Sequence, residues 1–146
     1  MPHDGPLDPD RARAIRDSFA AQSLMATLGA RMTMLADGRA VIEAPILPGA
    51  RQQHGYAHAG LTFSLGDSAA GYAALTVLPA GSEVLTAEIK INLLAPGAGE
   101  RLIATGRVVK PGRRLVVVTA EVEAERDGAR RLIAVLQGTM VPVPPA

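Results

Sequence analysis

The chain has 146 residues, a net charge of +1 and no cysteine. That length suits one domain, which buries about two thirds of the surface of its unfolded chain, and the lack of cysteine excludes a disulfide framework, a cysteine-based zinc site and a thiol nucleophile. Because charges of both signs are mixed along the chain and tryptophan is absent, we predict neither a basic nucleic-acid stripe nor a base-stacking platform.

The N-terminal sequence gives no sign of export. Residues 1–19 are polar and carry both charge signs, where a signal peptide needs an apolar run. No later segment offers the roughly 20 consecutive apolar residues that span a bilayer. We therefore expect a cytoplasmic protein that does not associate with membranes.

Two parts of the chain are predicted to differ in structure. Residues 1–29 are expected to form an N-terminal arm and helix, and residues 30–146 the main part of a single domain. Three prolines and one glycine among residues 1–9 indicate a loose arm.

A short amphipathic helix is predicted to follow the arm. Asp8 or Asp10 serves as its N-cap, and the helix runs to about Ala21 with Ile15 and Phe19 on its apolar side. This helix is expected either to pack on the edge of the domain or to cover one end of a ligand tunnel.

Alternating apolar and polar residues from Arg31 onward predict a β-hairpin. Its turn is Asp37-Gly38, because this dipeptide readily adopts the positive φ angles of a two-residue turn. Pro45 and Pro48 indicate that the second strand lies at a sheet edge or ends early.

A long helix and four further strands complete the pattern. Small apolar residues predict the helix over 58–78, in which Asp67 is the one carboxylate. The strands are rich in Val, Ile, Leu and Thr, and they are predicted over 84–94, 101–110, 114–125 and 131–142. One sheet with one apolar face needs an apolar partner, so we expect an α+β fold in which a curled antiparallel sheet wraps around this helix.

The loop before the long helix is the place where chemistry is expected. A helix N-terminus has backbone N–H groups without intrahelical partners, and it can hold a carbonyl oxygen that becomes negative during reaction. The N–H groups near Ala59 and Gly60 are the candidate donors. A carboxylate facing them is able to activate water or attack the carbonyl itself.

The position of Asp67 constrains how it meets those donors. It lies eight residues beyond Ala59, which corresponds to roughly 12 Å along one helix. The two groups of one chain therefore cannot contact the same carbonyl. Two antiparallel helices related by a two-fold axis would bring Asp67 of one chain to the Ala59 end of another, so a shared catalytic site requires a dimer.

Residues 52–71, QQHGYAHAGLTFSLGDSAAG, resemble the signature of hotdog-fold acyl-CoA thioesterases of the phenylacetic-acid-degradation (PaaI-like) type. In that family an Asn or Gln precedes a His-Gly-Gly turn, and an Asp follows nine residues after the His. His58, Asp67 and Gln52 match these positions. The resemblance covers about residues 30–142 and implies a hotdog fold with no metal or redox cofactor.

The resemblance also implies roles for individual residues. Asp67 would be the general base or the nucleophile, the Ala59 N–H would be the oxyanion donor, and His58 and Gln52 would position the thioester or the water. Ala59 departs from the family, which usually has Gly there. Some related enzymes carry a hydroxyl residue four positions after the acid, and since that position is a glycine here, Ser68 is the candidate for this hydroxyl.

The implied acyl-CoA substrate carries phosphates that need cations. Lys110, Arg113 and Arg114 flank the predicted turn after the fourth strand and are candidates to bind them. Asn92 and Gly60 complete the predicted substrate-binding set. We expect at least a homodimer, with a homotetramer as the further assembly.

Several alternatives stay open at this point. Asp67 is able to serve as a structural acid, and His54 with His58 to form a metal-binding pair, although the glutamate of zinc proteases is missing. A non-catalytic acyl-CoA sensor and an enoyl-CoA hydratase or dehydratase that uses His58 with Asp67 are the rival functions.

Overall fold

A computed structural model describes residues 4–145 of the chain. The helices are α1 (Pro9–Ala20), α2 (Ser23–Thr27) and α3 (Ala59–Thr76), with a short 3-10 turn at Pro48–Ala50. The strands are β1 (Arg31–Ala36), β2 (Arg39–Pro45), β3 (Glu83–Leu93), β4 (Arg101–Lys110), β5 (Val116–Arg126) and β6 (Ala129–Val143). Within residues 4–145, no helix combines the length and the apolar character needed to cross a membrane.

The six strands form one antiparallel sheet in the order β1-β2-β4-β5-β6-β3. Each strand after β3 pairs with the next, whereas β3 crosses to the far side and pairs with β6. The sheet wraps around α3, which contacts all six of its strands. This arrangement confirms the predicted hotdog fold, with strand ends within a few residues of those predicted.

Small residues allow α3 to lie close to the sheet. A side chain added at Gly106 of β4 would place its Cβ 2.2 Å from the backbone carbonyl of Ala69, and one added at Gly66 of α3 would meet Leu136 at 2.8 Å. Both distances are shorter than a van der Waals contact. Glycine is therefore required at position 106, where the neighbour is backbone, whereas a side chain at position 66 would push the end of the Leu136 side chain aside. The abundance of small residues in 58–78 therefore has the packing reason that the sequence indicated.

The N-terminal helix packs on the outside of this core. Asp8 is its N-cap and accepts a hydrogen bond from the Arg11 N–H at 3.1 Å, as predicted. Ile15 and Phe19 are buried, and the Phe19 ring meets Tyr72 of α3 edge to face, with 5.7 Å between ring centroids. Helix α1 thus covers the C-terminal half of α3.

The arm before α1 is held more firmly than the sequence suggests. The N–H of Asp4 donates to the carbonyl of Asp37 at 3.2 Å, and the N–H of Asp37 donates to the carbonyl of Gly5 at 2.9 Å. The prediction of a loose arm is therefore wrong for these residues, because the β1–β2 turn pairs with them. Residues 1–3 of the predicted arm lie outside the described residues.

The first hairpin forms where it was predicted, with two differences. At its turn Gly38 alone has a positive φ, of 73°, whereas Asp127 and Gly128 of the last hairpin both have positive φ, of 50° and 79°. Strand β2 ends at Pro45, so the early end is confirmed. It is not an edge strand, however, because it lies between β1 and β4.

Candidate functional site

The N-terminus of α3 is closed by His58. The imidazole Nδ1 accepts a hydrogen bond from the Gly60 N–H at 2.8 Å, and the His58 carbonyl accepts one from the Leu61 N–H at 2.9 Å. Because Nδ1 is the acceptor, a neutral imidazole carries its proton on Nε2. His58 therefore acts as the N-cap of α3 and keeps one outward-facing N–H donor.

This cap depends on the glycine at position 60. A Cβ there would lie 2.9 Å from Nδ1 of His58, which is too close for the imidazole to keep its place. Since the Gly60 N–H is bonded to His58, the Ala59 N–H is the donor left over. Among residues 4–145 it has no hydrogen-bond partner.

The loop that leads into α3 is closed by its own hydrogen bonds. The side-chain carbonyl of Gln52 accepts from the N–H groups of His54 and Tyr56, and the Gln52 N–H donates to the Tyr56 carbonyl at 2.9 Å. Arg51 donates to the carbonyl of Gly55 at 2.7 Å. The Gln52 side-chain oxygen is thus used within the loop, and its amide NH₂ has no hydrogen-bond partner among residues 4–145.

A cleft of about 510 Å³ opens beside the free Ala59 N–H. Gln52 and Thr62 lie on its polar side. Its apolar walls come from the loop before α3, from the end of β3 with the residues that follow it, and from β6; they are Tyr56, Ala57, Leu93, Leu94, Ala95, Pro96, Gly97 and Ile133. Two of these, Leu93 and Leu94, are more than half exposed, so the cleft is open on the side of β3.

Asp67 lies near the middle of α3 and faces β3. Its Oδ1 accepts a hydrogen bond from the Thr86 hydroxyl at 2.7 Å. The β3–β6 register shifts just after Thr86, between Thr86 and Glu88, and such a bulge re-aims the side chains around it. No pattern in the sequence predicts this contact, because threonine is common in strands and periodicity does not show how α3 is aligned with β3.

The two predicted halves of the site do not meet within one chain. Asp67 is absent from the cleft that Gln52 and Ala59 share, in agreement with the roughly 12 Å of helix between Ala59 and Asp67. Ser68, predicted to offer a hydroxyl, is half-buried and has no hydrogen-bond partner among residues 4–145. Thr86 provides a hydroxyl to Asp67 instead.

One side of α3 is left uncovered. Its residues recur at spacings of three and four, which places them along a single stripe; we call this the open stripe, and it consists of Gly60, Phe63, Ser64, Asp67 and Ser68. The neighbouring edge strand β3 is exposed at residues 85–88 and has no partner on its outer side among the described residues. The open stripe and this strand edge form one continuous surface, joined by the Asp67–Thr86 hydrogen bond.

The predicted phosphate-binding cations lie at the opposite end of α3 from Ala59. Lys110, Arg113 and Arg114 are exposed around the β4–β5 turn. Arg113 lines a proline-rich cleft of about 440 Å³ that also contains Val77 and Leu78, just beyond the C-terminus of α3. Ala59 is about 27 Å away at the other end of the helix.

Two other predicted residues have different surroundings. Asn92 lines a cleft on the outer face of the sheet together with Gln137 and Lys90, away from the Ala59 cleft. His54 lies in the loop and not on α3, so it does not share a helical face with His58. No group of three or more metal-binding side chains occurs within residues 4–145.

Comparison of the sequence and structure with known proteins shows which proteins this chain resembles. The family model for the thioesterase superfamily matches residues 54–130, which begin in the loop before α3. A thioesterase family protein of Silicibacter pomeroyi has 46% sequence identity and a TM-score of 0.89, over 91% of this chain and 98% of that one.

Two further proteins extend this comparison. A Saccharolobus solfataricus protein, named as a candidate esterase, is 34% identical over 82% of this chain and 84% of its own length. A Bacillus halodurans protein solved with CoA has 25% identity and a TM-score of 0.74, over 92% of this chain and 84% of that one.

Proposed function

Because the chain belongs to the thioesterase superfamily and is a thioester hydrolase, we propose that its substrates are acyl-CoA thioesters, which it cleaves to a free acid and CoA. The observation that carries this proposal is the Ala59 N–H at the N-terminus of α3, which no group within residues 4–145 accepts and which lies beside an open and largely apolar cleft. The CoA bound to the Bacillus halodurans protein supports CoA as the thiol half of the substrate. The cytoplasm as the compartment stays a prediction.

The proposed oxyanion donor is the Ala59 N–H. A thioester carbonyl in the cleft would accept from this group, and the partial positive charge of the helix N-terminus would stabilise the negative oxygen of the tetrahedral intermediate. Gln52 lines the same cleft, and the His58 side chain, fixed by its bond to Gly60, lies between two lining residues in the sequence, Ala57 and Ala59. Their proposed role is to orient the thioester or the water.

Asp67 is proposed to act on the carbonyl from the neighbouring subunit. As a general base it would take a proton from water while the water oxygen attacks the carbonyl carbon, and collapse of the intermediate would expel the thiolate of CoA. As a nucleophile it would form an acyl–Asp67 anhydride, which water then cleaves. Thr86 holds Oδ1 of Asp67 in either case, and single-turnover hydrolysis in oxygen-18 water distinguishes the two routes.

The surface beside Asp67 supports the shared site. In an antiparallel pair of α3 helices that brings Asp67 to Ala59 of the partner, the residue halfway between them lies on the two-fold axis. That residue is Phe63, a phenylalanine that is 38% exposed on the open stripe. Two such rings meeting at the axis would remove apolar surface from water, which favours this dimer.

The same arrangement brings the cations closer to the reaction. In the dimer, Ala59 of the partner would lie beside Asp67. Val77, which lines the same cleft as Arg113, is ten residues beyond Asp67 along the helix axis, so it would lie roughly 15 Å from that partner Ala59. Within one chain the corresponding separation is about 27 Å. Lys110, Arg113 and Arg114 are therefore proposed to bind the phosphates of a CoA whose thioester sits at the partner's helix end.

The test is release of free thiol from a panel of aryl and straight-chain acyl-CoAs. We expect hydrolysis of at least one of them, and its loss in Ala59→Pro, which deletes the proposed donor at a first helical position that accepts proline. Ala59→Gly keeps the N–H and is the matched control. No thiol release from any acyl-CoA, or equal rates in the proline and glycine variants, would contradict the proposal.

A further inference from the structure

Thr62 carries a buried hydroxyl that makes no hydrogen bond within residues 4–145. It lies near the start of α3, and the whole residue is only 2% exposed. Two other hydroxyls of this helix bond to carbonyls of the preceding turn, since Ser64 donates to Gly60 at 2.7 Å and Thr76 donates to Ala73 at 2.6 Å. The Thr62 hydroxyl forms no such bond, and a buried polar group without a partner is unfavourable.

The Thr62 side chain is reached from the cleft beside the Ala59 N–H. Thr62 lines that cleft together with Ala59. Within residues 4–145, the side-chain polar atom that is both fully enclosed and without a partner is Arg39 Nε. The Thr62 hydroxyl is therefore not enclosed on all sides, and the cleft is the space into which it opens.

Burial distinguishes Thr62 from the other polar side chains of the cleft. Tyr56 is 39% exposed, so water solvates its hydroxyl when no ligand is bound. The Gln52 side-chain oxygen already accepts hydrogen bonds within its own loop. A hydrogen bond from a ligand to Thr62 replaces little water, and it therefore contributes more to selection between ligands than a bond to an exposed group does.

The spacing between Ala59 and Thr62 limits where a ligand can carry its polar atoms. The two residues are three apart and lie on one side of α3, separated by roughly 4.5 Å along the axis. Helical side chains lean toward the N-terminus, which brings the Thr62 hydroxyl toward the turn that presents the Ala59 N–H. A ligand that bonds to both groups therefore needs two polar atoms a few ångströms apart.

An acyl chain with oxygens on carbons 1 and 3 meets this requirement. Bond lengths of about 1.2–1.5 Å place these oxygens up to roughly 5 Å apart, against less than roughly 4 Å for oxygens on carbons 1 and 2. The walls of the cleft include Leu93, Leu94 and Ile133, and such apolar walls suit the remaining hydrocarbon.

We propose that the cleft selects thioesters whose acyl chain carries a hydroxyl on carbon 3, and that Thr62 is the residue that recognises this hydroxyl. The inference rests on the proposed function, in which the thioester carbonyl accepts from the Ala59 N–H. With the carbonyl held there, the 3-hydroxyl and the Thr62 hydroxyl are each able to donate and to accept. Thr62 takes no part in bond cleavage.

Thiol release from matched substrates tests this selection through kcat/KM for butyryl-CoA and for each enantiomer of 3-hydroxybutyryl-CoA. In the wild type we expect one enantiomer to exceed butyryl-CoA by about tenfold, the upper range for one hydrogen bond between uncharged groups. In Thr62→Val, which keeps the shape of the side chain but lacks the hydroxyl, this ratio should fall to about 1. Thr62→Ser retains the hydroxyl and should keep most of the preference. Thr27→Val, at an exposed position of α2, is the control with the wild-type ratio.

Two results would overturn the proposal. One is equal kcat/KM for the hydroxylated and plain substrates in the wild type. The other is a Thr62→Val variant that keeps the ratio, even with lower activity toward both substrates, because Thr62 would then bond to a group that all acyl-CoAs share. Urea unfolding is an independent check: since the hydroxyl has no partner, Thr62→Val should not lower the midpoint, and a lower midpoint would show that the hydroxyl bonds within the fold.

Binding separates a failure of this inference from a failure of the proposed function. Absence of thiol release from every acyl-CoA would contradict the proposed function, but titration calorimetry with the same acyl-CoAs still measures selection. Asp67→Asn chains, which keep Thr62 and Ala59, serve for this measurement. Tighter binding of one 3-hydroxybutyryl-CoA enantiomer than of butyryl-CoA, lost when Thr62→Val is added, supports the inference. Equal affinities, or no binding of either, overturn it.

Discussion

The two halves of α3 are built from similar small residues but have opposite surroundings. Residues 69–76 are all buried, beneath the sheet on one side and α1 on the other. In residues 59–68 the sheet covers one side only, and the residues of the open stripe are exposed or half-buried. The C-terminal half contributes packing, and the N-terminal half carries every group on this helix that is proposed to take part in the reaction.

The two halves also differ in whether their polar groups are available to a substrate. In the C-terminal half even the polar groups are used structurally, since the Thr76 hydroxyl accepts from the Gly38 N–H at 2.7 Å and donates to the Ala73 carbonyl. In the N-terminal half the Ala59 N–H has no partner among residues 4–145, and Asp67 is only half-buried. Substitutions in the first region should therefore change stability, and substitutions in the second should change hydrolysis.

Asp67→Asn should give the largest effect. We expect thioester hydrolysis to fall about 10²- to 10⁴-fold, the usual contribution of a general base, while the free energy of unfolding in urea changes little. Asp17→Asn, on the exposed side of α1, is the matched control. A variant at position 67 that keeps wild-type turnover would remove Asp67 from the mechanism.

Gly106→Ala should show the opposite behaviour. Its new Cβ would press on the Ala69 backbone at 2.2 Å, and we expect the free energy of unfolding to fall by about 1–3 kcal/mol, as for other overpacked cores. Activity per folded molecule should be largely retained. Gly49→Ala is the control for the change in chain flexibility, because a Cβ at that position has no atom within 4 Å. Equal stabilities of the two variants would argue against the close approach of α3 to the sheet.

Thr86→Val should produce a smaller loss than Asp67→Asn. The variant keeps the shape of the side chain but removes the hydroxyl that donates to Asp67, and we expect kcat to drop about tenfold, equivalent to about 1.4 kcal/mol. Thr86→Ser restores the donor and should recover most of the rate. If serine and valine behave alike, Thr86 contributes packing and does not position Asp67.

Tyr72→Phe should have the smallest effect, and only at high pH. Burial raises the pKa of the Tyr72 hydroxyl, opposed by its hydrogen bond with Ser18. In the unfolded chain tyrosine ionises at about pH 10, so as the pH rises past this value the unfolded state loses its proton first and stability falls. Urea unfolding between pH 9 and 11 should show a shallower decline in Tyr72→Phe; parallel curves would contradict this.

The sequence predicted where the helices and strands lie better than it predicted which strands pair with each other. Alternation located β5 correctly, because its inward side chains are buried and its polar ones face outward. Pro45 predicts either an edge strand or an early end, and the early end is what the structure shows, because a proline at the last residue of a strand is compatible with an interior position. The pairing of β3 with β6 depends on long-range packing, which periodicity does not encode.

The candidate site was predictable only in part. The loop and Asp67 were found because their spacing resembles a family signature and because a lone carboxylate among apolar residues is unusual. Two features required coordinates: the Gly60 N–H donates to His58, and Thr86 reaches Asp67 from another element. Both are side-chain contacts whose geometry depends on how α3 is placed.

Mixed dimers test the central claim most directly, namely that Asp67 serves the helix end of a neighbouring chain. Asp67→Asn and Ala59→Pro chains, each inactive alone, are co-expressed with different affinity tags and purified through both. A shared site predicts recovered thiol release, because each mixed dimer contains one site with an intact Asp67 and an intact Ala59 from different chains. If the mixed dimers are as inactive as their parents, both groups act within one chain and the account is wrong.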